Sequence, residues 1–269
     1  MTRFDIFSRC FPELDMPEGV LGRLLDFSGD PVMEHREAGT LAGFALIHEN
    51  ALRLLCVHPA YRHRGIGTAL LRRAEDAVRQ GGGQEMVIGG ASSRLFIGAP
   101  EKAKGFFEKR GYACAGACDE MTGELSALLP AAQLPAPPGV AFGWYRGSVQ
   151  ALQRAVAAVD PTWVQYFPSA EHVFCAVKDG EIAGFCFADV SGPCLLSNGK
   201  NVVGVPGCVG TVPRFRRQGI GLKMVALACE ELRKMGCDTG FIHYTGVAHW
   251  YARLGFQTFL TEYFMHKAI

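Results

Sequence analysis

Between Thr40 and Val57 the chain reads TLAGFALIHENALRLLCV, two apolar runs broken by the polar pair Glu49-Asn50. Short apolar runs joined by a polar turn predict two strands. The next segment, GTALLRRAEDAVRQ, sets Leu70, Leu71, Ala74, Ala77 and Val78 on one face and Arg72, Arg73, Glu75 and Asp76 on the other. That is the spacing of a surface helix, and Gly81 to Gly83 close it. EMVI then predicts a short strand and EKAKGFFEKRGY a second helix.

The order recurs further along. SVQALQRAVAAV is helical in pattern, and HVFCAVKDGEIAGFCFADV is a hairpin turning at Asp179-Gly180, a dipeptide suited to a two-residue turn. NVVGVPGCVGTV predicts a strand, GLKMVALACEELRKMG an amphipathic helix ended by Gly236, TGFIHY a strand and VAHWYARLGF a short helix. Each half therefore predicts an α/β (α+β layered) domain, a central sheet flanked by helices. A pattern written only twice is an internal duplication, not a solenoid. Between the halves, LPAAQLPAPPGV carries Pro130, Pro135, Pro137 and Pro138. Its composition predicts an extended, semi-rigid connector with no side chains able to seed a core. The expected organisation is a domain over 1–129, a linker over 130–138 and a second domain over 139–269.

The duplication includes one unusual turn. VHPAYRHRGIG runs from Val57 to Gly67, and TVPRFRRQGIG from Thr211 to Gly221. Each turn follows a strand and opens a helix, where glycines let main-chain N–H groups converge on one point at the positive end of the helix. Arg62 and Arg64 in one copy, and Arg216 and Arg217 in the other, add charge-assisted donors suited to a pyrophosphate. Neither copy has the Gly-Lys-Ser/Thr of a Walker loop. Neither has the third glycine of a dinucleotide fingerprint, since Leu70 and Met224 stand in its place.

Composition narrows the partners. The 269 residues carry a formal net charge of +1, too little for a protein held on nucleic acid by a basic field. No run of eighteen uncharged apolar residues predicts a membrane span. The first twenty residues lack the order of a signal peptide, so a cytoplasmic location is expected. Of the 10 cysteines, Cys56, Cys175, Cys186 and Cys208 fall in strand-like runs and Cys229 in a helix-like one, as buried thiols do. The closest pair, Cys114 and Cys118, has no histidine nearby, so no metal site is expected.

These motifs resemble those of the GNAT acyl-CoA N-acyltransferases. The family's strand–V-x-P-x-x-R-x-x-G-x-G–helix signature is met by Val57, Pro59, Arg62, Gly65 and Gly67. Pro213, Arg216, Gly219 and Gly221 meet it again, with Thr211 in place of the valine. A second landmark, a helix ending in an aromatic, a basic residue and Gly-Phe, also appears twice, as FFEKRGY and WYARLGF. The resemblance covers essentially the whole chain as a tandem pair.

It implies acetyl-CoA as co-substrate. The diphosphate would lie on the turn of Arg62, His63, Arg64, Gly65, Ile66, Gly67 and Thr68, or on that of Arg216, Arg217, Gln218, Gly219, Ile220, Gly221 and Leu222. The pantetheine arm would pair with Cys56 and Val57, or with Gly210, Thr211 and Val212. The tyrosine that commonly protonates the departing thiolate in this family falls on Tyr251; the first copy has Phe107 there, which holds no proton. The second half is therefore expected to be catalytic and the first not. His243 is the leading candidate for the base, with Asp189 and Glu171 as alternatives. Trp163, Tyr166 and Phe167 are candidates for lining an acceptor pocket. From Gly67 to Gly111 is 44 residues against 34 from Gly221 to Gly255. The excess lies around residues 91–100, read as a loop leaning on the partner domain. The expected activity is acetyl transfer to a primary amine of a small molecule, by a monomer or homodimer. The alternative is a module that binds coenzyme A or a nucleotide without turnover.

Overall fold

The computed structural model describes residues 1–25, 30–90 and 95–269. Its elements are α1 (Arg3–Cys10), α2 (Glu18–Leu25), β1 (Val32–Glu37), β2 (Thr40–His48), β3 (Ala51–Val57), α3 (Ile66–Gln80), β4 (Glu85–Ile88), β5 (Ala99–Pro100), α4 (Glu101–Glu108) and β6 (Ala113–Glu124). There follow β7 (Val140–Trp144), α5 (Val149–Ala157), β8 (Val173–Lys178), β9 (Glu181–Val190), β10 (Val203–Thr211), α6 (Ile220–Lys234), β11 (Thr239–Thr245), α7 (Ala248–Tyr251) and β12 (Gln257–Ala268). From β2 onward the elements include those predicted, in the predicted order, and α1, α2, β1, β5 and β7 are additional. Among the described residues no helix is long and apolar enough to cross a membrane.

The chain divides into two compact units. One comprises Met1–Asp119, Pro193–Lys200 and Leu260–Ile269, the other Glu120–Gly192 and Asn201–Phe259. These differ from the two halves of the sequence at their edges, because the last strand leaves its own half. In the first unit β1, β2 and β3 are antiparallel neighbours, β3 runs parallel to β4, and β12 lies antiparallel to β4 with Met265 opposite Ile88. Met265 buries its side chain with Leu70, Leu71, Met86 and Phe107. Burial of this kind is worth about 1.5–3 kcal/mol per large apolar side chain.

Glu75, placed by helical spacing on the solvent face of α3, is instead buried. The Tyr112 hydroxyl and the Lys267 ammonium both donate to its Oε1, at 3.1 and 3.0 Å, and a buried carboxylate needs such partners. Of the long 91–100 segment, residues 91–94 lie outside the described residues. Leu95, Phe96 and Ile97 are buried, and the Ile97 N–H donates to Glu262 Oε1 at 3.1 Å.

The second unit has the order β7-β8-β9-β10-β11, antiparallel except for the parallel pair β10–β11. The proline-rich segment is not the coreless connector its composition predicts. Ala131 is buried in the same cluster as Met224, Ala228 and Leu232. Glu230 Oε1 accepts from its N–H at 2.8 Å, and Lys223 Nζ donates to the carbonyls of Ala131 and Leu134. One small side chain between prolines is enough to dock the segment on α6.

Candidate active site

Both repeated turns fold alike. After β3 the chain makes a 3-10 turn over Pro59–Tyr61 and passes through Arg62 in an extended conformation. It then turns left-handed at His63 (φ 61°) and Gly65 (φ 83°) before α3 begins. After β10 the same path runs through Pro213–Phe215, Arg216, Arg217 (φ 62°) and Gly219 (φ 79°) into α6. A non-glycine residue at positive φ costs on the order of 1–3 kcal/mol and concentrates at functional sites. Here it occurs at equivalent positions in both copies. The first N–H groups of each helix have no helical carbonyl to bond, so each turn presents main-chain donors at a positive helix end.

Both motif arginines also bond a main-chain carbonyl. Arg62 Nε donates to the Val57 carbonyl at 3.2 Å, and Arg216 Nε to the Thr211 carbonyl at 3.0 Å. Each guanidinium therefore braces the turn against the end of its own strand. The second glycine of each motif lies under an aromatic ring. A Cβ at Gly67 would stand 3.3 Å from Phe106, and one at Gly221 would stand 2.9 Å from Thr211 Oγ1 and 3.2 Å from Trp250. Arg110 caps the first arrangement. It lies 3.7 Å above the Phe106 ring and donates through Nη2 to Thr68 Oγ1 at 2.6 Å.

A cavity opens at each turn. β3 and β4 pair only at Ala51–Val87 and Leu52–Ile88, and β10 and β11 only at Val203–Thr239 and Gly204–Gly240. The first cavity, about 590 Å³, is lined by Val57, Arg62, His63, Gly65, Ile66, Gly67 and Thr68, together with Cys10 and Phe107. The second, about 700 Å³, is lined by Gly210, Thr211, Arg216, Arg217, Gly219, Ile220, Gly221 and Leu222, together with Trp250 and Tyr251. Both volumes suit a cofactor-sized ligand. Cys56, Arg64, Val212 and Gln218 are off these walls: Cys56 and Val212 are buried, and Gln218 accepts from Lys178 Nζ at 2.8 Å. The strand beside the second cavity is bulged between Gly207 and Gly210. Gly210 is required there, since a Cβ would come within 2.3 Å of the Phe185 ring.

Tyr251 and Phe107 occupy matching places. Tyr251 is buried, and burial first, then the nearby Cys186, Cys229 and Cys208 thiols, drives its phenol above the ordinary range. It therefore carries its proton throughout the neutral range. His243 is not among the residues that line the cavity with Tyr251. Its Nδ1 bonds Glu120 Oε2 at 2.8 Å, with Glu120 fully buried and the histidine side chain 45% exposed. Among the described residues the other Glu120 oxygen has no hydrogen-bond partner. Asp189 faces His172 at 3.3 Å, and Glu171 is exposed. Neither lines the cavity. Phe167 is a core residue, stacked on Phe187 at 4.3 Å. Tyr166 is exposed, and Trp163 packs against the Phe167 cluster.

Sequence reasoning did not single out Cys10 or Glu120, nor the bracing by Arg110. Arg110 had a visible signal, four residues after an aromatic in FFEKRGY. The other two reach their sites only through tertiary folding.

A family model described as acetyltransferase (GNAT) domain matches residues 31–114 and 169–258, well over half of the chain. Among solved structures, the chain resembles a GCN5-related glucosamine N-acetyltransferase region of a fungal multi-domain GH3 β-N-acetylglucosaminidase (TM-score 0.77, 20% identity). That match covers 98% of this chain but 36% of the other, so the chain spans about a third of that protein's length. A GCN5-related N-acetyltransferase from Sphaerobacter thermophilus matches at TM-score 0.69 and 18% identity, over 98% of this chain and 90% of that one. A tandem GNAT protein from the clavulanic acid biosynthesis pathway matches at 0.61 and 16%, over 98% and 93%. At these identities the likeness shows the fold. No curated protein matches in sequence.

Proposed function

Taking as premise that this chain belongs to the GNAT acetyltransferase family, we propose that it transfers the acetyl group of acetyl-CoA to a primary amine of a small molecule, with the chemistry in the second unit. The observation that carries this reading is the placement of Tyr251 on the same cavity wall as the turn at Gly219–Gly221. The first cavity has Phe107 at that place, and a phenyl ring donates no proton.

When bound, the coenzyme supplies an acyl thioester, whose carbonyl carbon the amine attacks with loss of a thiol. The chain's residues divide the remaining tasks. The N–H groups at the start of α6 and the surrounding Arg216 and Arg217 hold the diphosphate. Gly210 and Thr211 would offer main-chain groups to the pantetheine arm, and an N–H there would face the thioester carbonyl oxygen. Tyr251 keeps a proton on its phenol oxygen for the departing sulfur. His243, its ring oriented by Glu120, stands off the walls of this cavity, and is assigned to accept the amine proton through an intervening water. The first unit retains a coenzyme cradle without the acid.

The discriminating experiment measures thiol release from acetyl-CoA with a panel of amines that includes amino sugars and amino acids. Turnover with one class, lost in Tyr251→Phe while coenzyme binding persists, is the expected result. No turnover with any amine, alongside tight coenzyme binding, would favour the non-catalytic binding module instead.

A further inference from the structure

β11 ends on two ring-bearing side chains that a regular strand would hold apart. Successive strand residues point to opposite faces, and alternate ones share a face. Phe241 and His243 obey this, with ring centroids 5.5 Å apart. Tyr244 does not. Its backbone is left-handed (φ 59°), and its ring centroid lies 6.4 Å from that of His243. His243 and Tyr244 are both exposed, between the buried Ile242 and Thr245.

A non-glycine residue at positive φ needs something to hold it, and here Glu120 does. From a fully buried side chain, its Oε2 accepts from the Tyr244 N–H at 3.3 Å and bonds His243 Nδ1 at 2.8 Å. One oxygen atom thus fixes the bend and the neighbouring imidazole together. The bend turns a large aromatic ring, 58% exposed, out to solvent, where it adds little to the core. Folding does not account for a strained backbone that exposes a tyrosine. A ligand for its ring does.

The surroundings of the pair select that ligand. Aromatic faces carry negative charge density and attract cations and polarised C–H groups. The strand TGFIHYT holds no lysine or arginine to meet a carboxylate. The buried Glu120, whose Oε1 has no hydrogen-bond partner among the described residues, repels one. A cationic amine on a ring with an apolar face fits this place, and an amino acid does not. We infer that Tyr244 is a specificity-determining platform of the second unit, on which an amino sugar acceptor stacks one face of its pyranose ring beside His243. The inference rests on the transferase reading and names the acceptor class which that reading leaves open.

The test reads binding and turnover separately. A saturation-transfer NMR titration of the full chain with galactosamine, whose C–H bonds gather on one face of the ring, needs no acetyl donor. The wild-type chain should bind it, and Tyr244→Phe should bind it equally well. Tyr244→Asn tolerates the left-handed backbone but loses the ring, so its affinity should fall at least about tenfold. In thiol release, KM for galactosamine should rise by the same factor while kcat changes by less than about twofold. Unchanged coenzyme affinity checks that the variant is folded. Serine, with a carboxylate and no ring, should bind the wild-type chain at least about tenfold more weakly, a comparison that needs no variant. Equal binding by the wild type and Tyr244→Asn, no binding by the wild type, or tighter binding of serine would overturn the platform. Ring-dependent binding without thiol release would uphold it and count against the transferase reading instead.

Discussion

The first unit sets Gly67 beneath Phe106, with Arg110 stacked above that ring and bonded to Thr68. The second sets Gly221 beneath Trp250, and Leu254 stands at the position of Arg110. The first cavity holds Cys10 and Phe107, the second Tyr251. Yet the backbone through both turns is nearly the same, including a positive φ at His63 and at Arg217. Duplication has kept the main-chain donors and changed the side chains around them. An anion cradle depends on backbone and helix polarity, so it survives wide substitution. The proposed proton transfer would depend on a single oxygen atom, which Tyr251 has and Phe107 lacks.

The largest effect that would test this contrast is loss of the second cradle. Gly221→Val, which drives side-chain atoms into Thr211 and Trp250, should lower acetyl transfer by about a hundredfold, or ~2.8 kcal/mol, in a steady-state thiol-release assay. Full activity in that variant would move the chemistry to the first unit. Next, Tyr251→Phe should lower kcat by about ten- to a thousandfold with unchanged coenzyme affinity, whereas Phe107→Tyr should leave kcat unaltered. A loss in the Phe107 variant would reverse the assignment of roles. His243→Gln should reduce kcat about tenfold at constant KM for the coenzyme, and a change confined to KM would make the histidine a binding group. Arg216→Lys, which cannot reproduce the guanidinium brace, should weaken coenzyme binding about threefold, ~0.7 kcal/mol, by calorimetry. The same titration of the wild-type chain should give two coenzyme sites. A single site would end the equivalence of the cradles.

Much of this organisation is legible along the chain. Leu70, Leu71, Ala74 and Val78 recur at helical spacing and are buried, and Asp179-Gly180 makes the turn between β8 and β9. Both glycine turns form where P-x-x-R-x-x-G-x-G is written. Such signals are local, set by the preferred φ of glycine and proline and by one face of a helix. Where the reading failed, a distant partner intervened. Glu75 is buried because Tyr112 and Lys267 satisfy it. Ala131 docks because Lys223 and Glu230 bond its backbone.

By itself, then, the order of residues determined two copies of one layered fold, each with a glycine turn at a helix start, and a difference of one hydroxyl between them. Only the tertiary structure decided that β12 completes the sheet of the first unit, that Arg62 and Arg216 brace carbonyls, that Glu120 stands behind His243 and that Cys10 reaches the Val57 carbonyl. The reason is one of range. Turn and helix preferences are energies of neighbouring residues, whereas strand pairing and buried polar contacts join residues far apart in sequence, whose meeting is set by the packing of the whole core.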